Sequence, residues 1–383
     1  MVSKVSGGVL KLPEQGSPLN KDVEQVLKTE GTPALVVDRR LIRQKYQEFC
    51  SQFSQAKIYY ALKANPHPGI IELCQEVGCG FEISSQGELE LLMRLGVPAQ
   101  KLISGNPVKD PAFIRSAYAS GIDLFAFDSY DEVEKLSRFA SGSKVYVRLS
   151  VSNEGSEWPL SKKFGVDVEQ AAELLVQAQK SGLKAHGIAF HVGSQCTMPT
   201  TWAKAIEKTK AVWELAAEKG IELHTLNIGG GFPIKYTRPV PSIAEIARVI
   251  EESIAKAFPG GIEVIAVPGR ALVGEAGTLA ATVVAKAARD RERWLYLDIG
   301  VFNGLMETVG GIKYPMMTKR STQTSKWVLA GPSCDDFDVI STEAELPELE
   351  TGDRVYIMSA GAYTTAYASE FDGFPIPKTH FVD

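Results

Sequence analysis

The sequence predicts an α/β protein, a (β/α)8 barrel of the TIM type with a second, β-rich domain. Three observations predict it. Eight short apolar runs alternate with stretches of helical period from residue 58 to residue 267. Beyond residue 270 the apolar runs continue but long helical stretches become rare. A length of 383 residues exceeds one ordinary core, which fits two domains or one large barrel with an addition.

The runs are 58–62 (IYYAL), 80–83 (GFEI), 101–103 (KLI), 123–127 (DLFAF), 144–147 (KVYV), 186–190 (HGIAF), 223–228 (LHTLNI) and 262–267 (IEVIAV). Between them lie helical patterns such as GELELLMRLG, DEVEKLSRFA and TWAKAIEKTKAVWELAAEKG. A doubly wound sheet shows the same alternation; the count of eight favours the barrel. TVVAKAA, RWLYLDI, KWVLAG and RVYIMS then mark the β-rich part, and PALVVD (33–38) is a strand candidate ahead of the barrel. The expected boundaries are 1–33 for an N-terminal segment joining the β domain, 34–270 for the barrel and 271–383 for the C-terminal β-rich domain.

Composition narrows the function classes. Apolar residues at 44% and charged residues at 23% are ordinary for a soluble globular chain, and a net charge of -5 offers no footprint for nucleic acid or an anionic membrane. No run approaches the roughly 18 apolar residues of a membrane span, and residues 1–20 lack the apolar core of a signal peptide. Five cysteines, none in a CxxC pair, argue against a disulfide framework and a metal site and for a cytoplasmic location. Cys50, Cys74 and Cys79 read as buried packing residues.

In a parallel barrel the chemistry gathers at the carboxyl ends of the strands. There this sequence places Lys63, Glu82, Arg148, His191, the triplet Gly229-Gly230-Gly231 and Pro268-Gly269-Arg270. Any one of them reads as a solvated rim residue; six on one rim read as a site. Three glycines let backbone N–H groups close on an anion. The triplet is neither a GxGxxG fingerprint nor a P-loop, so the anion is read as a phosphate beside Arg270. An amine shielded at a barrel mouth is able to form a Schiff base. Phosphate nest, lysine and imidazole together point to pyridoxal 5'-phosphate (PLP), with an aldolase lysine as the competing use.

YYALKANP, GFEISSQGELE, FHVGSQ, NIGGGFP, PGR, GPSCDDFD and GAYTTAYASEFDGFP resemble, in order, the motifs of the PLP-dependent decarboxylases of the alanine-racemase fold (fold type III). The resemblance runs from about residue 30 to the end and is greatest toward the ornithine and lysine decarboxylases. Diaminopimelate decarboxylases usually carry Glu after the cysteine of GPxC, where this chain has Asp335. The resemblance implies that Lys63 holds PLP as a Schiff base and that His191 stacks on its ring. It implies phosphate binding by Ser194, Gly230, Gly231, Arg270 and Tyr363, with Glu82 and Arg148 supporting the lysine and the cofactor. Cys334 is then the proton donor, and Asp335, Glu307 and Phe371 are substrate-binding. It further implies a homodimer in which the GPSCDDFD loop of one chain reaches Lys63 of the other, with Asp338 pairing with Lys163 across the interface. Residues 151–162 are polar, as expected of a loop closing over substrate.

One motif departs from the family. Where its barrel usually ends in Glu-Pro-Gly-Arg, this chain has Val267-Pro268-Gly269-Arg270. The family glutamate pairs with the pyridine nitrogen, and valine accepts no proton. Glu263 shares its strand parity but lies toward the other end of the barrel. Three readings follow: a decarboxylase with another group in that place, a racemase or other Cα chemistry, or a non-catalytic homologue. Intact Lys63, His191, Cys334 and glycines favour an enzyme. The expected reaction is decarboxylation of a basic L-amino acid, ornithine before lysine.

Overall fold

The computed structural model describes residues 19–160 and 162–383. The expected segment 1–33 therefore lies partly outside the described residues. Eight strands, all parallel, close into a barrel: Ala56–Ala61, Gly80–Ile83, Leu102–Ser104, Leu124–Phe127, Lys144–Arg148, Lys184–Ala189, Thr225–Asn227 and Glu263–Ala266. The last pairs with the first through Val264 with Ala56 and Ala266 with Ile58, which closes the ring. All eight predicted runs are barrel strands, displaced by a few residues at most.

Side chains alternate across each strand with period two, which sorts them between two cores. Phe81 and Ile83 belong to the core beneath the helices. Glu82 between them lines the cavity at the barrel mouth. The lumen below is filled by Ala61, Ile103, Leu124, Ala126, Tyr146, Ala189, Ile265 and Val267. Helix starts are legible in the sequence. Ser85 accepts from the Glu88 N–H, Ser129 from that of Glu132, and Ser242 with Glu245 forms a reciprocal capping box.

The β-rich domain is an eight-stranded sheet. Its long strand Gly277–Arg289 pairs with Ala34–Asp38, Glu292–Leu297 and Arg354–Ile357. Ala34–Asp38 also pairs in parallel with the C-terminal strand Lys378–Val382. This corrects the boundary expected at residue 34. That strand hydrogen-bonds into the sheet, and the barrel begins after Asp38. Its apolar sequence reads as a strand but does not encode which sheet it joins. Among the described residues no helix is long and apolar enough to cross a membrane.

The two domains meet at the turn that carries Lys63. The Tyr363 N–H donates to the Ala64 carbonyl at 2.7 Å, and Asn65 Nδ2 donates to the Gly361 carbonyl at 2.9 Å. Asn65 is buried, so this bond also satisfies a polar group that would otherwise be costly there. Gly361 and Gly277 pass so closely that a Cβ on Gly277 would lie 2.3 Å from the Gly361 backbone.

Candidate active site

A cavity of about 410 Å³ opens at the carboxyl ends of the barrel strands. Lys63 stands on a 3-10 turn, Leu62–Ala64, between two buried neighbours. Its amine is exposed to the cavity. This corrects the expectation of a shielded amine: the strand delivers the lysine to the mouth, but this chain does not cover it.

The glycine triplet forms a tight wall of the same cavity. Gly229 and Gly231 have positive φ, +68° and +91°. A Cβ would sit 2.2 Å from the Phe190 carbonyl oxygen at Gly229, and equally close to that of Gly193 at Gly231. At Gly230 it would lie 2.5 Å from the Val267 carbonyl oxygen. No side chain fits at any of the three. Phe232, the next residue, anchors this wall by packing on Phe49 and Trp202 with centroids 5.1 and 5.3 Å apart. Each such aromatic pair contributes about 0.5–1.5 kcal/mol beyond burial.

Arg270 is buried beside the triplet. Its Nε and Nη2 reach Ser194 Oγ at 3.3 and 3.1 Å, and its Nη1 donates to Tyr236 Oη at 2.6 Å. Glu307 takes Nη1 at 2.6 Å and Nη2 at 2.5 Å in a two-pronged ion pair. Burial alone would lower the guanidinium pKa, but Tyr236 and Glu307 overcome it and hold the group well above its ordinary value. Tyr363, itself at φ 62°, lays its ring 4.8 Å from the guanidinium carbon. Burial pushes its phenol up to about 12, so the hydroxyl is a neutral donor.

Glu307 is thus corrected. Its carboxylate is buried and both oxygens are committed to Arg270, so it holds that arginine beside the glycine triplet and does not reach for substrate. Composition between Asp298 and Asp335 singled out this carboxylate but held nothing about its partner. Tyr236, which completes this network, carried no signal in the sequence.

His191 flanks the cavity as a neutral imidazole. Desolvation lowers its pKa well below the ordinary value, and the cations of Arg148 and Lys63 lower it further. Its Nδ1 accepts from the Gly193 N–H at 3.0 Å, which leaves the proton on Nε2. Arg148 is depressed by burial and partly restored by Glu82, yet remains a cation. Glu82 lies against Gly105, where a Cβ would be 1.7 Å from Oε1.

Val267 is buried in the lumen core and lines the cavity floor. Glu263 pairs with Lys57 Nζ at 3.0 Å at the far end of the strand, so it does not replace the missing carboxylate.

Three residues stand apart from this cavity. Cys334 and Asp335 are exposed, as is Phe371, and none lines the cavity of its own chain. Asp338 is corrected. Its carboxylate accepts from the Val301 N–H at 2.7 Å and from the Ser333 N–H and Oγ at 3.1 and 2.7 Å. It is buried within the chain and does not present itself to Lys163 of a partner. Cys50 is exposed, unlike buried Cys74 and Cys79.

The polar loop after Leu149 is docked. Ser156–Trp158 pairs antiparallel with Ser194–Cys196, and Asn153 Oδ1 accepts from the Leu160 N–H. Pro159, Leu160, Lys162 and Lys163 thereby roof the cavity. Trp158 presses on Gly310, where a Cβ would lie 1.8 Å from its ring. In Gly310→Ala the indole is expelled and the roof released. Limited proteolysis is then expected to cut within residues 151–163 several-fold faster than in the parent, with the barrel intact; an unchanged rate refutes the latch.

The residues present fit PLP. The glycine wall and the Nε edge of Arg270 form an anion cradle, a neutral imidazole lies on one side and a lysine amine is within the same cavity. Comparison with known proteins agrees. A family profile described as "Pyridoxal-dependent decarboxylase, pyridoxal binding domain" matches residues 39–274. The lysine/ornithine decarboxylase of Selenomonas ruminantium is 34% identical over 94% of this chain and 92% of its own. Mouse ornithine decarboxylase is 32% identical over 95% of this chain and 84% of its own. The lysine/ornithine decarboxylase of Vibrio vulnificus, solved with putrescine, superposes with a TM-score of 0.88 at 34% identity, covering 95% of this chain and 99% of that one. The chain belongs to the family of pyridoxal-dependent decarboxylases and is a PLP-dependent amino-acid decarboxylase.

Proposed function

We propose that the chain decarboxylates a basic L-amino acid, L-ornithine first and L-lysine next, as a homodimer with shared sites in the cytoplasm. One observation carries this reading. The cavity gathers the lysine, imidazole, arginine and glycine wall that would take the cofactor's aldehyde, ring face and phosphate, while the thiol of Cys334 and the carboxylate of Asp335 stand exposed elsewhere on the same chain. Around them Phe337, Phe371 and Tyr367 are 53%, 41% and 48% exposed, an apolar rim suited to a second copy. The relatives named above support the substrate class.

When bound, PLP supplies the electron sink that draws off the electron pair of the broken Cα–carboxylate bond. Lys63 is the attachment point for its aldehyde. Ser194, Gly230, Gly231, Arg270 and Tyr363 hold its phosphate, and His191 packs on the ring face. Arg148 and Glu82 steady the lysine side of the site. The partner copy contributes Cys334 to return a proton to Cα, Asp335 to hold the distal ammonium and Phe371 to line the pocket. One oxygen of Asp335 accepts from the Phe337 N–H at 2.8 Å, leaving the other to face outward. The docked roof narrows the mouth above Lys63, and the partner's loop would complete its closure.

Two measurements test this. Ornithine, lysine and arginine are supplied and amine with CO2 is followed; no amine from any of them refutes the substrate class. Lys63→Ala chains are mixed with Cys334→Ala chains. Random pairing leaves about one site in four complete if sites are shared across a two-fold interface. Activity near a quarter of the parent's is expected, and none above either variant alone refutes the shared site.

A further inference from the structure

The side chain of Cys334 does not stand alone on its loop. Its Sγ lies 3.3 Å from Asp372 Oδ2, and its backbone N–H points at the same oxygen at 3.5 Å. Asp372 comes from a different segment, 38 residues later, and reaches the thiol only because its turn is held there. The residue adopts φ 55°, a left-handed conformation that non-glycine residues seldom take and that aspartate tolerates better than most. Gly373 follows at φ 78°. Phe371 packs on Phe302 with centroids 4.6 Å apart, and Phe302 packs on Phe337 of the cysteine loop at 6.1 Å. The Ser369 N–H also donates to the Phe302 carbonyl at 2.9 Å. Loop and turn are therefore clamped together around the thiol–carboxylate contact.

We propose that Asp372 is the positioning residue for Cys334, holding its sulfur in one place on the loop until substrate chemistry draws the proton away. The proposal rests on the donor role given to Cys334 above and deepens it. The Sγ–H bond breaks, its proton goes to the Cα carbanion, and a thiolate remains beside a carboxylate. That like-charge neighbour disfavours the thiolate, so sulfur takes a proton back from solvent when the site opens for product release. Within its own chain the charged groups facing the thiol are Asp372 from the turn and Asp335 from its own loop, and in the proposed dimer the amine of Lys63 on the other copy would join them. Asp372, by hydrogen bond and by charge, is the main cause of a thiol pKa raised above the ordinary value, with Asp335 adding less. The thiol thus stays protonated to higher pH than a free cysteine. An amide in place of the carboxylate donates to sulfur and favours the thiolate, which moves the titration to lower pH.

The test uses the holoenzyme without substrate. Iodoacetamide labelling of Cys334 is followed by peptide mapping across pH in the parent and in Asp372→Asn, with exposed Cys50 as the internal standard. The variant is expected to label Cys334 several-fold faster near neutrality, with its midpoint at lower pH and Cys50 unchanged. Coincident midpoints overturn the proposal. The alkaline limb of kcat is expected to shift the same way, and an unmoved limb also overturns it. Cys334→Ala turning over at the parent's rate would instead refute the donor role itself, on which the labelling midpoint does not depend.

Discussion

In Lys63→Ala, turnover of ornithine falls at least on the order of 10⁴-fold, because a free amine must replace one held in place, whose effective molarity reaches roughly 10⁵–10⁸ M. The fold persists. Lys63 is exposed, and among the described residues its amine has no ion-pair partner. Substitution of such a residue usually changes stability by no more than about 0.5 kcal/mol. Two other lysines, Lys162 and Lys163, line the same cavity and are the chemical competitors. They sit on the roof, where Lys163 Nζ lies 5.0 Å from the Phe164 ring centroid. Lys63 instead rises from a turn fixed on both sides, by the Tyr363 N–H to Ala64 and by Asn65 to Gly361. A covalent partner must return to one place each turnover, which favours the rigid turn over the loop. Borohydride reduction of the PLP-loaded parent should therefore mark the peptide holding residues 58–65. Lys63→Ala should lose that mark without gaining one at 162 or 163. A reduced label on either roof lysine would move the reactive amine off the strand end.

How much of this was readable beforehand follows the range of the interactions involved. Strand identity and the residues ending each strand were legible, because alternation and strand ends are local properties of the chain. Lys63, Glu82, Arg148 and His191 meet in one cavity for that reason. Partners were not legible. Glu307 is 37 residues from Arg270 and buried against it. Nothing local separates a carboxylate that will bind an arginine from one that will bind a substrate amine. Asp338 misled in the same way, its oxygens being taken by Val301 and Ser333. Asp372 lies inside the GAYTTAYASEFDGFP motif, yet its contact with Cys334 depends on aromatic packing between two distant segments. Ala34–Asp38 shows the limit for strands: its apolar pattern predicted a strand, but pairing with Gly277–Arg289 is non-local.

The Arg270–Glu307 pair sets the second large effect. Both side chains are 3% exposed, and two bonds of 2.5 and 2.6 Å join them. Removing one partner from a buried pair leaves a charge that the interior solvates poorly, at a cost of about 3–5 kcal/mol. Glu307→Ala is therefore expected to lower the stability of the cofactor-free protein by that amount in urea unfolding. Tyr236 and Ser194 remain as neutral acceptors for the guanidinium, so the lower end is the better expectation. A double replacement, Arg270→Met with Glu307→Leu, removes both charges and refills the space. It should recover most of the loss, because apolar substitutes for a buried pair are often neutral or stabilising. The same double variant should lose discrimination between PLP and unphosphorylated pyridoxal, since the guanidinium edge beside the glycine wall is gone. If instead it remains as unstable as Glu307→Ala, the pair contributes shape that methionine and leucine do not restore. If it keeps its preference for the phosphate, the glycine wall alone binds that anion and Arg270 serves the fold.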